Sequence, residues 1–243
     1  MHPARPFVSY RFISYRIVCA IIFSALFLSG CSQKFQNVSD TFRLAVKGEP
    51  DTLKPQSWIE QLPYASMYAR IGDGPQAFMV LALAEHPVRF QTTPTASTLQ
   101  LKWLAADKGM LVTEHGRLVK TLNLPQGNLR HVEATSPDPV ALGLQKPSTP
   151  KHWQRRIDWQ PGNHFGYQLI SNFKDHGLDS ISINGILHVT RYFVESVEVP
   201  SLNLSFENEF WIHPENGQVF MSRQHIAPGL PVLETQRLKP YGN

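Results

Sequence analysis

The chain has 243 residues, 42% hydrophobic and 17% charged, with a formal net charge of +4 and two cysteines. Arg5, Arg11 and Arg16 lie in residues 1–30 without an acid, so residues 31–243 carry only +1. No Lys/Arg cluster remains there, which excludes nucleic acid as a partner, while a chain of this size can bury a core without disulfides.

The N-terminus reads as an export signal: a basic stretch, an apolar run over residues 17–28, then Ser29-Gly30 and Cys31. The run falls short of the ~20 apolar residues a helix needs to cross a bilayer. Leu28-Ser29-Gly30-Cys31 resembles the lipobox of bacterial lipoproteins. That resemblance implies cleavage before Cys31, diacylation of its thiol and acylation of the new amine. Ser32, where an Asp commonly retains enterobacterial lipoproteins in the inner membrane, implies sorting to the outer membrane with the chain facing the periplasm. Cys19 leaves with the signal and Cys31 carries lipid, so no disulfide is expected. Residues 1–30 are thus a signal peptide, 31–52 a lipidated polar tether, and 53–243 a single β-rich domain.

Within that domain, Trp58, Ile59 and Leu62 at helical spacing after Pro55 predict a short helix that stops before Pro63. The continuous apolar run over residues 77–84 predicts a buried strand. Residues 99–104 alternate, with Leu99, Leu101 and Trp103 on one face. Turns at Asp107-Lys108-Gly109 and His115-Gly116 join this strand to others over 110–113 and 118–122, as an antiparallel meander. Pro137, Pro139, Pro147 and Pro150 mark residues 134–152 as a long surface crossing between two β-rich halves. Strands resume over 155–159, 167–173, 180–184, 187–199, 206–212 and 218–224, the last two joined by a hairpin loop at 214–217. The fold class is mainly β, its antiparallel sheets forming a partly closed barrel or a sandwich, with one short N-terminal helix.

Residue patterns that carry recognisable chemistry are few. Ten histidines form no zinc-binding spacing, and His115, His164, His176 and His213 fall in turns, loops or strand ends, so no metal and no cofactor is expected. No G-x-S-x-G nucleophile motif is present, and Gly72-Asp73-Gly74 lacks what a phosphate cradle needs. No catalytic residue is assigned. Alternation places Glu207, Glu209 and Trp211 on one face of a strand, suited to sugar binding. Glycosidases instead set two carboxyls on opposite sides of a bond, ~5–9.5 Å apart. Trp103 and Trp159 read as core. Trp153, beside Arg155 and Arg156, reads as an exposed ring next to a cationic pair, and completes the candidate carbohydrate-binding set.

The stretches LPYASM (62–67), TEHGRLVKTLNLP (113–125), NEFWIHPENGQVFMSRQ (208–224) and LKPY (238–241) are similar, in order, to signatures of the YjbF/GfcB lipoproteins encoded with group 4 capsule and exopolysaccharide genes. The resemblance implies a non-enzymatic accessory of polysaccharide secretion or assembly at the outer membrane. Its expected partners are a periplasmic protein, an outer-membrane β-barrel of the same system and polysaccharide itself. A polysaccharide-modifying enzyme using Glu207 or Glu209, and a purely structural partner of an export pore, are the alternatives.

Overall fold

Period-two alternation along successive strands decides the architecture, because it gives each strand one apolar face that must find cover. The computed structural model describes residues 50–86 and 98–242. The described elements are helix α1 (Gln56–Gln61) and strands β1 (Ser66–Ile71), β2 (Ala77–Glu85), β3 (Gln100–Ala105), β4 (Met110–Glu114), β5 (Arg117–Leu122) and β6 (Asn128–Glu133). A four-residue helix α2 (Pro139–Leu142) follows. Strands β7 (His152–Gln160), β8 (His164–Ile183), β9 (Ile186–Val199), β10 (Leu204–Ile212), β11 (Val219–His225) and β12 (Val232–Lys239) complete the chain.

All strands join one antiparallel sheet in the order β5-β4-β3-β2-β1-β12-β11-β10-β9-β8-β7-β6. The first and last strands pair, Tyr68 opposite Gln236 and Ile71 opposite Leu233, so the ends of the meander are sealed. The break falls instead between β5 and β6, which are consecutive in the chain. Side chains bridge it: Leu129 N donates to Thr121 Oγ1 at 3.0 Å, and Leu124 N to Asn128 Oδ1 at 3.1 Å. The sheet is therefore a nearly closed barrel, which leaves almost no free edge.

Several expectations are corrected. The apolar run of β2 is not a buried strand: Met79 is buried while Leu83 is exposed, because the strand is one wall of a single-layer barrel. The two strands expected over 167–184 are one 20-residue strand, β8, irregular between Asp175 and Leu178. β6 and β12 carry no strong pattern and form because a partner strand is waiting for them. The proline-rich crossing does not join two halves; it links the neighbours β6 and β7, and it is not wholly on the surface, since Pro139, Val140, Leu144 and Thr149 are buried.

Beyond Asp175, β8 and β9 continue as an arm turned by Asn184-Gly185, both at positive φ as a two-residue hairpin requires. Ile181 and Ile183 of this arm cover Trp211 on the outside of the sheet, with Tyr192, Phe220 and Leu238 packed around them. At the tip Asn184 Nδ2 reaches Gln56 Oε1 of α1 at 3.1 Å.

Candidate functional site

The barrel interior is built in layers. One apolar cluster contains Ile157, Leu169 and Val197; a second contains Trp153, Phe173, Phe193 and Phe210. On each of four adjacent strands the inward residue between these clusters is polar: Arg155, Ser171, Glu195 and Asn208. Glu195 is fully buried. It accepts from Arg117 Nη1 at 2.6 Å, Arg155 Nη1 at 2.9 Å and Asn208 Nδ2 at 2.8 Å. Burial pushes its carboxyl up, but the attraction of Arg117 and Arg155 and the hydrogen bonds from Arg117 and Asn208 outweigh it and hold the pKa at about 2. The Arg117 guanidinium also lies over the rings of Trp153, Phe173 and Phe210.

This polar layer fixes the segment that stops the barrel. Arg117 Nε donates to Asp138 Oδ2 at 2.8 Å, while Asp138 Oδ1 caps α2 by accepting from Val140 N at 2.9 Å. Lys151 Nζ and Thr149 Oγ1 bind the carbonyls of Leu144 and Gly143, each at 2.6 Å. The crossing is thus a plug keyed to the interior by one arginine.

Beside the plug lies a cleft of about 300 Å³. Its apolar floor includes Met67, Leu101 and Trp103, and α2 forms one wall. The β4–β5 turn (His115, Gly116) and the β10–β11 loop (Asn216–Gln218) form others, with Arg237 and Tyr241 from the C-terminal strand and its tail. Among the described residues its lining holds the cations Lys146 and Arg237 and no Asp or Glu. Burial lowers the Arg237 pKa with no carboxylate to offset it. Among the described residues no group of three His, Cys, Asp or Glu is placed to hold a metal ion.

Gly116 fixes the width of this cleft. Its φ is +90°, and a Cβ there would lie 2.6 Å from Cβ and Cγ2 of Val219 across the barrel. Gln224 Nε2 also ties the Gly116 carbonyl to β11 at 2.9 Å. Gly116→Ala is expected to destabilise the chain by ~1–3 kcal/mol, since both strain and overpacking act at this position. A thermal midpoint matching that of the parent chain would show that the turn and β11 are not locked together.

The residues read from the sequence as a carbohydrate-binding set do not form one surface. Trp153 is 4% exposed, its ring inside the barrel and its Nε1 donating to Ser136 O at 3.1 Å, which corrects the expectation of an exposed ring. Arg155 is 6% exposed and paired with Glu195, whereas its neighbour Arg156 faces outward; adjacent strand residues point to opposite faces, so the two cannot act as a pair. Trp211 lies beneath the arm, with Nε1 donating to Asp179 Oδ2 at 2.8 Å. Glu207 is exposed, and Glu209 accepts from Tyr192 Oη at 2.5 Å and Arg223 Nη1 at 3.0 Å. Cys31 lies outside the described residues. Trp103 and Trp159 are buried as expected.

Sequence reasoning missed Arg237, Lys146 and Gln218. The signal that could have found them is the turn chemistry inside the family-like stretches: His115-Gly116 and Asn216-Gly217 are turns from distant segments that meet at one cleft, with Met67 and Tyr241 from the other two stretches.

Residues 39–238 match the family described as group 4 capsule polysaccharide lipoprotein GfcB, YjbF. The chain belongs to this family. The uncharacterized lipoprotein GfcB of Escherichia coli strain K12 is 35% identical to it over 219 residues, covering 89% of this chain and 95% of GfcB. The uncharacterized lipoprotein YjbF of the same strain is 31% identical over 221 residues, covering 90% and 96% respectively. The crystal structure of the hypothetical lipoprotein YmcC from Escherichia coli K12 superposes with a TM-score of 0.65 at 32% identity, over 84% of this chain and 96% of that one. For this GfcB/YjbF family member, the four family-like stretches converge on the cleft.

Proposed function

We propose that the chain is a lipid-anchored protein on the periplasmic face of the outer membrane, serving capsule or exopolysaccharide secretion as a binding accessory rather than an enzyme. The observation that carries this reading is the lining of the cleft, where cations and aromatic rings meet and no carboxylate stands among the described residues. Glycoside cleavage by the usual route requires two carboxyl groups flanking the bond. Glu195, buried between two arginines, is in no position to supply one, and Glu207 and Glu209 stand side by side on the outer wall. Family membership supplies the process, and the lipobox supplies the anchor. The partners that fit are a periplasmic protein and an outer-membrane β-barrel of the same system, with the polymer passing between them.

The test is complementation in a capsule-producing host from which the protein has been deleted. Deletion is expected to reduce surface polymer, and the full chain to restore it. The double variant Glu207→Gln/Glu209→Gln is expected to restore it equally. Loss of secretion in that variant, with the protein folded and present, would favour the enzyme reading and overturn the accessory role.

A further inference from the structure

We propose that the cleft takes a carboxylate-bearing sugar of an acidic polysaccharide, and that Arg237 is the group that meets its charge. This rests on the reading that the chain serves polysaccharide secretion, and it names the class of polymer.

The arginines of the barrel differ in their partners. Among the described ones that are buried or half-buried, Arg70 meets Asp51, Arg117 meets Asp138 and Glu195, Arg155 meets Glu195, and Arg191 meets Asp175. Arg237 is half-buried and has no carboxylate partner among the described residues. Its guanidinium lies 4.4 Å over the Phe220 ring and donates from Nη1 to Gln218 Oε1 at 2.9 Å. A guanidinium has five N–H groups in a rigid fork. A cation partly withdrawn from water gains most from a partner that accepts two of them at once, and a carboxylate has that geometry.

The rest of the cleft agrees with such a ligand. Lys146 from the plug and His115 from the facing turn add donors, and no acid among the described lining residues would repel the anion. Glu114, beside His115, accepts from Gln100 Nε2 at 2.8 Å. The apolar floor and the exposed Tyr241 ring at the rim offer faces for the C–H surface of a pyranose. The volume of about 300 Å³ suits one or two sugar rings rather than a folded partner. Apolar walls around a half-buried guanidinium select an acidic sugar over a neutral one, since only the acidic one repays the removal of Arg237 from water.

The test uses the full lipidated chain in detergent, titrated with tetragalacturonate and with its methyl ester, which has the same shape without the charge. Binding is read by calorimetry. The acid is expected to bind at millimolar or lower concentration, to weaken with added salt, and to exceed the ester by about tenfold or more. Arg237→Gln is expected to remove that preference, while Arg237→Lys keeps part of it. Lys146→Gln, at an exposed position, is expected to weaken the acid without moving the thermal midpoint, and it decides the matter if Arg237→Gln does not fold. Equal binding of acid and ester, no binding of either, or tighter binding of a short peptide through its C-terminal carboxylate would overturn the proposal. If deletion of the protein leaves secretion unchanged, the export reading falls. If secretion depends on the protein but binding ignores charge, only the assignment to Arg237 falls.

Discussion

Glu195→Gln is expected to lower the stability of the folded chain by roughly 3–5 kcal/mol, because it leaves buried guanidinium charge without its counter-ion. Arg117 keeps Asp138, so the loss falls mainly on Arg155, whose remaining partner is the Ser171 hydroxyl at 2.6 Å. Urea unfolding at neutral pH measures the difference. The acid limb of stability gives a second readout. Glu195 has its pKa lowered on folding from an ordinary 4.5 to about 2. Its stabilising contribution is therefore complete above pH 4.5 and is lost as pH falls towards 2. Integrated over that window the contribution is about 3 kcal/mol. In the Glu195→Gln chain this part of the acid dependence should vanish. Asp51, hydrogen-bonded by Arg70, and Asp175, where Arg191 outweighs burial, are also lowered and add the same slope to both chains. Parallel acid limbs for the two chains would mean that Glu195 is not held ionised by its arginines.

The consequence reaches the cleft through the plug. Arg117 sits between Glu195 and Asp138, and Asp138 caps the short helix that walls the cleft. A helix of four residues has almost no stability of its own. Its position depends on what its cap and buried face hold on to. The charged layer inside the barrel is thus the support for the surface where a ligand would sit.

How much of this was legible in the sequence follows from the range of each signal. The meander β3-β4-β5 is legible because alternation and its two turns are local, and Trp103 faces inward as its register with Leu101 requires. The same alternation in β7 already puts Trp153, Arg155, Ile157 and Trp159 on one face. Read by residue type, Arg155 suggests a solvated pair with Arg156; read by period, it must point inward. What permits a guanidinium there is Glu195, forty residues on, and no pattern within a single strand reveals such a partner. The barrel closure is equally non-local. β12 mixes Leu233 and Leu238 with Glu234, Arg237 and Lys239, and becomes a strand because β1 and β11 both offer it a ladder. The cleft is the extreme case, since its described lining comes from six separate stretches of the chain.

Cys31→Ser is expected to have the largest effect on location. The three acyl chains that the lipobox resemblance implies would bury dozens of methylenes at ~0.8 kcal/mol each, an anchor that one or two exposed cations could not replace. Juxtamembrane basic residues contribute ~1 kcal/mol apiece near an anionic surface, and residues 31–243 carry a net charge of only +1. Labelled palmitate incorporation should therefore vanish in Cys31→Ser, and the protein should be missing from the outer-membrane fraction. Label persisting in that variant would overturn lipidation at Cys31. Polymer secretion at the parent level, with the label gone, would show that the barrel works without its anchor. The same variant separates address from recognition: tetragalacturonate binding by purified Cys31→Ser protein should match that of the parent chain, because the substitution leaves every described residue that lines the cleft unchanged. A binding loss there would make the lipid part of the recognition surface, whereas unchanged binding with failed secretion would leave the lipid a single task, holding the cleft where the polymer passes.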